Sequence, residues 1–172
     1  MIEHLVPYAQ YFGFLGAGFA ISKQQLSHAQ KIRTLTVIEL SVFAFHFYLL
    51  NKPTAMMMGL IGVSRSLLFI KLSSLKARAF IMILLGIFAI IFGVYTSENI
   101  YDWLPIIAML IASSAEANNN TVKVKSLYLI NYLLWVAYAI IISSYGVIIS
   151  AGFSSLSCVI GIYRDSRKTR RA

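Results

Sequence analysis

The sequence predicts an all-α, polytopic membrane protein of seven transmembrane helices, built as two parallel triple-helix units joined by a linker helix. Three observations predict it. Of the 172 residues 59% are hydrophobic and only 12% charged, against about 25% charged in a soluble domain. The apolar residues come in seven blocks of membrane-spanning character, separated by short polar clusters whose basic residues alternate from side to side. Finally, the first three blocks superimpose on the last three at one sequence offset.

The first block, 5–22, follows MIEHLVPY, which has Glu3 where a cleaved leader would carry basic residues, so the block is expected to stay as a helix. Its Gly13, Gly16 and Gly18 permit close helix contact. The second block, 35–51, holds Glu39 and His46, seven residues apart and therefore on one helix face. NKP links it to the third block, 54–71, in so short a turn that the two must be antiparallel neighbours. The third block includes Met56–Met58, read as adaptable packing, and GLIGVSRSLLFI, eleven uncharged residues around Arg65. The fourth, 79–96, is uncharged. The fifth, 101–115, has Pro105 near its start, where proline is tolerated. SSYG marks the boundary between the sixth block, 126–143, and the seventh, 146–163. Each block is at the short end of the ~17–25 residues needed to cross ~30 Å of hydrocarbon. Interfacial Tyr8, Trp103 and Lys52 make up the difference.

Alternate loops divide the basic residues. Lys23, Lys31, Arg33, Lys71, Lys76, Arg78, Lys123, Lys125, Arg164, Arg167, Lys168, Arg170 and Arg171 fall on one side. Lys52 alone falls on the other, with Glu3, Glu98 and Asp102. This places the N-terminus outside and the C-terminus in the cytoplasm. The net charge of +9 follows from that asymmetry, so no nucleic-acid partner is expected. The basic tail, 164–172, serves topology and contact with anionic lipid.

Sliding the chain by 92 residues puts Lys31 on Lys123, Glu39 on Asn131, Phe43 on Trp135, His46 on Tyr138 and Arg65 on Ser157. Helix ends, loop lengths and basic loops coincide at that offset. The expected organisation is a first unit at 1–75, a linker helix at 76–97 and a second unit at 98–163, in a single membrane domain. An inserted single helix lets two three-helix units run parallel, the logic of transporters with a pseudo-two-fold axis along the membrane normal.

The stretch ISKQQLSHAQKIRTLTVIELSVFAFHFYLLNKPTAMMMGLIGVSRSLLFI resembles the YgjV-type family of small bacterial inner-membrane proteins. The likeness lies in the Gln/Lys loop after the first helix, the aromatic-His second helix, the one-turn link and the G-x-x-R of the third. It implies an inner-membrane location and no particular activity. The 3+1+3 plan is also similar to that of SWEET facilitators and the PQ-loop group. Those families carry a Pro-Gln pair at the cytoplasmic end of the first helix of each unit; here that region reads SKQQ, with Gln24 and Gln25 but no proline, and the second copy reads SAEANNN.

Two intramembrane charges carry the functional reading. Glu39 and Arg65 fall at matching depth on hairpin-linked helices, which predicts an ion pair, because either charge buried alone costs at least ~2.5–3.5 kcal/mol on insertion scales. The pair serves either as a clamp between helices or as part of a polar pathway. The candidate substrate-binding residues are Glu39, His46, Arg65, Asn131, Trp135 and Tyr138. The expected function is transport or facilitated passage of a small polar or anionic solute, with lipid as the surrounding partner and self-association also open. The alternative is a scaffold, receptor or lipid-contacting protein. One cysteine, Cys158, leaves no disulfide framework. With no nucleophile–base or metal constellation in view, neither enzyme activity nor a cofactor is expected.

Overall fold

The computed structural model describes residues 6–23, 29–72, 74–116 and 121–169. The Gln24–Gln25 loop, the Asn118–Asn120 run and the last three residues of the tail lie outside them. Among the described residues the chain forms seven α-helices. They are α1 (Val6–Lys23), α2 (Ala29–Leu49), α3 (Pro53–Lys71), α4 (Leu75–Thr96), α5 (Trp103–Glu116), α6 (Thr121–Ile141) and α7 (Tyr145–Thr169).

Several helices extend beyond the apolar blocks at the basic end. α2 starts at Ala29, six residues before the apolar block, and α6 at Thr121. Lysine and arginine are good helix formers, so Lys31, Arg33, Lys123 and Lys125 carry the helix past the apolar window. α3, α4, α6 and α7 each have the length and hydropathy to cross a membrane, whereas Thr34–Leu49 and Ile100–Ala115 are shorter apolar stretches. The protein is thus a multi-pass membrane protein by composition and length.

The α2–α3 and α6–α7 hairpins match bond for bond. Each first helix ends on a left-handed residue, Asn51 (φ 55) or Ser143 (φ 54). Asn51 N–H donates to Tyr48 O at 3.0 Å and Lys52 N–H to Phe47 O at 2.9 Å; Ser143 N–H donates to Ile140 O at 3.2 Å and Ser144 N–H to Ala139 O at 2.8 Å. This is the Schellman arrangement, which satisfies the last carbonyls of the helix. The next residue position starts a new helix at once: Met56 N–H returns to Lys52 O, and Ile148 N–H to Ser144 O. Every donor and acceptor of one hairpin lies 92 residues from its counterpart in the other.

α2 packs on α1 and α3, α6 packs on α5 and α7, and the circuit closes through α1 against α7 and α3 against α5. α4 lies outside this ring, against α3 and α5. It turns Phe80, Ile83, Ile87, Val94 and Tyr95 outward, the surface expected to meet lipid. The ring has an apolar core, with Phe47, Met58 and Ile106 among its buried residues, and sets polar groups beside it. Its outer faces are apolar, while Glu39, Arg65, Ser113, Asn131, Ser150 and Ser154 are buried.

The starts of α1, α3, α5 and α7 meet the ends of α2, α4 and α6 at the hairpin end. The contacts that show it are Ala9 with His46, Thr54 with Thr96 through their hydroxyls at 3.0 Å, and Tyr101 under the Lys52 ammonium at 5.9 Å. α5 is preceded by a 3-10 turn, Ile100–Asp102, whose buried Asp102 accepts from the Glu98 and Asn99 N–H groups at 3.1 and 3.0 Å. Pro105, in the first turn of α5, leaves the helix unbroken. At the α1–α7 crossing Gly146 lies so close to Gly13 that a Cβ there would overlap the Gly13 carbonyl. Gly16 admits the Phe43 ring, whereas Gly18 faces open space.

Candidate functional site

Inside the ring is a cavity of about 610 Å³, walled by α2, α3, α5, α6 and α7 and bordered by Arg78 of α4. Helical spacing explains which side chains reach it. α2 contributes Thr36, Glu39, Leu40, Phe43 and Phe47, and α6 contributes Lys125, Tyr128, Asn131, Tyr132 and Trp135, each set following one helix face. α3 supplies Met58, Gly59, Gly62, Arg65, Ser66 and Phe69; α7 supplies Val147, Ser150, Ala151, Ser157 and Cys158.

Eight pairs of these residues are related by the 92-residue offset: Thr36–Tyr128, Glu39–Asn131, Leu40–Tyr132, Phe43–Trp135, Met58–Ser150, Gly59–Ala151, Arg65–Ser157 and Ser66–Cys158. The corresponding faces of α2 and α6, and of α3 and α7, therefore look into the same space.

The basic end of the cavity holds the charge. Glu39 and Arg65 are both buried, and the Arg65 Nη1 donates across to α5, to Ser113 Oγ at 3.0 Å, with Met109 Sδ at 3.5 Å. Ser113 in turn donates to Met109 O at 2.9 Å, so its lone pair is presented to the guanidinium. The Arg78 Nε and Nη2 donate to Leu72 O, at 2.9 and 2.7 Å, finishing the end of α3 while the guanidinium stands 5.6 Å from the Phe69 ring centre. The Lys125 stem lies against Gly161 of α7, where a Cβ would come within 3.0 Å of its Nζ.

Towards the hairpin end the cavity closes on aromatic rings. Phe47 and Trp135 stack with centroids 5.5 Å apart at 19°, and Tyr138 meets both edge-on. Of the six candidates, Glu39, Arg65, Asn131 and Trp135 line the cavity together. His46 and Tyr138 do not; each is wholly buried behind the aromatic closure. The His46 Nδ1 stands 2.6 Å from Ala9 O of α1, and Nε2 stands 2.7 Å from Ser144 Oγ at the start of α7. A carbonyl can only accept, so Nδ1 carries the proton and donates to Ala9 O; in the neutral ring Nε2 accepts the Ser144 hydroxyl. Beside it, Gln10 Nε2 donates to Ser143 O at 2.9 Å and Gln10 Oε1 accepts from Tyr145 N–H at 3.2 Å. His46 and Gln10 thus lock α1 and α2 to the α6–α7 hairpin.

Arg78, Lys125, Tyr128 and Tyr132 were not foreseen as part of the site. For Lys125 the spacing carries a signal, since Tyr128 and Tyr132 follow it three and seven residues on along one face of α6, but the sequence offers it only as a loop cation and as the repeat counterpart of Arg33.

Neither a curated protein nor a solved structure matches the chain. The Imp-YgjV family, described as a bacterial inner membrane protein, matches residues 7–169. The match runs from the first turn of α1 to the last of α7, and the chain therefore belongs to the Imp-YgjV family of bacterial inner membrane proteins.

Proposed function

We propose that this inner-membrane protein is a facilitator or secondary transporter for a small polar or anionic solute, and not an enzyme. The single observation that carries the reading is the cavity: about 610 Å³ of largely apolar space with Glu39, Arg65 and Asn131 buried in its walls and Arg78 and Lys125 half-buried beside them, inside helices whose outer faces are apolar. Intramembrane ionisable groups that face a cavity mark solute pathways, and the volume lies within the ~300–1,000 Å³ of small-molecule sites.

The mechanism proposed is rocking of two parallel triple-helix units, 1–75 and 98–163, around the cavity, with 76–97 as linker helix and all seven helices crossing the bilayer. Three features support it: the matching hairpins, the eight offset-related lining pairs, and a six-helix ring whose neighbours are unchanged when the units are exchanged, with α4 on one side of it only. A site at the interface of structural repeats is the arrangement through which alternating access works. The basic residues at the cavity's charged end favour that end, and the C-terminus, in the cytoplasm, with the N-terminus outside. His46 and Gln10 would then hold the outer side shut. Glu39 and Arg65 form the charge pair of the pathway, Arg65 engaging the solute and Glu39 aiding its release.

The test is uptake into proteoliposomes against a panel of sugars, polyols and organic acids, comparing wild type with Arg65→Ala. Flux of at least one solute that Arg65→Ala reduces tenfold or more is expected. Absence of flux for every solute, from protein of verified fold, would sink the proposal.

A further inference from the structure

We infer that the cavity is a site for a water-soluble organic anion with a ring or apolar body, its carboxylate or phosphate at the basic end and its body against the aromatic closure. This rests on the reading of the cavity as a solute site and names the solute's class. Among the described lining residues Arg65, Arg78 and Lys125 oppose the single carboxylate of Glu39. All four stand at the basic end, while the other end offers Phe43, Phe47, Trp135 and Val147, with no charge among them. On α6 alone the lining runs from Lys125 to Trp135, about 15 Å along the helix axis. A ligand that satisfies both ends therefore carries its charge at one tip and its apolar surface at the other. Low-dielectric walls focus the potential of such a cluster onto the space between them, so an anion is concentrated there and a cation excluded.

The chain contains its own reporter. Cys158 is the sole cysteine, it lines the cavity, and it is half-buried. Its modification by a small anionic methanethiosulfonate (sulfonatoethyl) can be compared with that by a cationic one (trimethylammonioethyl), each rate normalised to a free thiol. The comparison cancels the intrinsic reactivity of the thiol and reads the sign of the potential. A surplus of two positive charges about 10 Å away gives roughly a five- to tenfold preference for the anionic reagent at low ionic strength, falling toward about twofold near 0.15 M salt. Lys125→Gln and Arg65→Gln should each reduce that preference. In detergent-purified full-length protein, 2-naphthoate should slow the reaction, and its neutral analogue 2-naphthalenemethanol should not.

A normalised ratio of one or below, or failure of both reagents to reach Cys158 in folded protein, overturns the inference. If naphthoate gives no protection but phosphatidylglycerol in nanodiscs does, the phosphate belongs to lipid and the soluble-anion assignment falls. Protection by naphthoate without uptake of any solute leaves the anion site standing and removes transport. Uptake confined to neutral solutes, with no charge preference at Cys158, does the reverse.

Discussion

Replacing Gly146 by alanine adds one methyl group at the place where α1 and α7 approach most closely, and its effect can be worked out from the contacts. The new Cβ would overlap the carbonyl carbon and oxygen of Gly13, which are backbone atoms of a packed helix and have no rotamer to yield. Ordinary contact begins at 3.4 Å, so the helices must part by about 1 Å or more, and overpacking of this kind costs about 1–3 kcal/mol. That separation also strains the neighbouring hydrogen bonds: Gln10 to Ser143 and Tyr145, and His46 to Ser144. Each is worth about 0.5–1.5 kcal/mol. Against this, alanine gains about 0.5–1 kcal/mol over glycine within a helix. The net expectation for Gly146→Ala is a loss of about 2–4 kcal/mol, read as a fall of roughly 5–10 °C in Tm for a chain of this size. Gly18→Ala supplies the control, because nothing lies within 4 Å of its added Cβ, and it should melt at or slightly above the wild-type temperature. The assay is thermal unfolding of detergent-purified protein followed by gel filtration. Equal melting of the two variants would refute the close crossing.

Three further outcomes follow from the same geometry. Ser144→Ala leaves the His46 Nε2 buried without its hydroxyl partner and should cost about 1–3 kcal/mol; added to His46→Gln it should cost little more, and full additivity would show that the two do not interact. Ser143→Gly should raise stability by up to about 1 kcal/mol because Ser143 sits at φ 54, whereas Ser143→Val should lower it and Asn51→Gly should change little, all read by the same melting assay. The double change Glu39→Gln with Arg65→Gln should harm folding less than either single change, measured as yield of monodisperse protein; harmless single variants would remove the proposed charge pair.

Much of this architecture was legible because bilayer physics writes it into composition. All seven apolar blocks are helices, and the offset that aligned them places Asn51 on Ser143, the two residues that share a left-handed turn. Helix ends were less legible at the basic side, since Lys31, Arg33 and Lys123 read as loop yet continue the helix. Within the site, helical spacing put Glu39, Arg65, Asn131 and Trp135 on faces that meet. It could not show that Arg65 reaches Ser113, because the sequence does not say that α5, rather than α4, stands across from α3 at that level. His46 shares a face with Glu39 by spacing, but the cavity ends at the Phe47–Trp135 stack before His46 is reached. Beyond that stack the same face meets α1 and α7, where a carbonyl and a hydroxyl claim both ring nitrogens.

The eight lining pairs also differ in a way that matters for any rocking motion. Where the first half holds Glu39 and Arg65, the second holds Asn131 and Ser157. Under the proposed plan these paired positions hold a bound ion through the first half, by Arg65, while Lys125 of the second half and Arg78 of the linker helix add their charge from unpaired positions. At the paired positions the second half presents neutral groups, so its hold on the ion rests on Lys125 among the described lining residues. Grip is then shared unevenly: substitutions at Arg65 and Lys125 should change affinity, while those at the neutral partners Asn131 and Ser157 should change turnover.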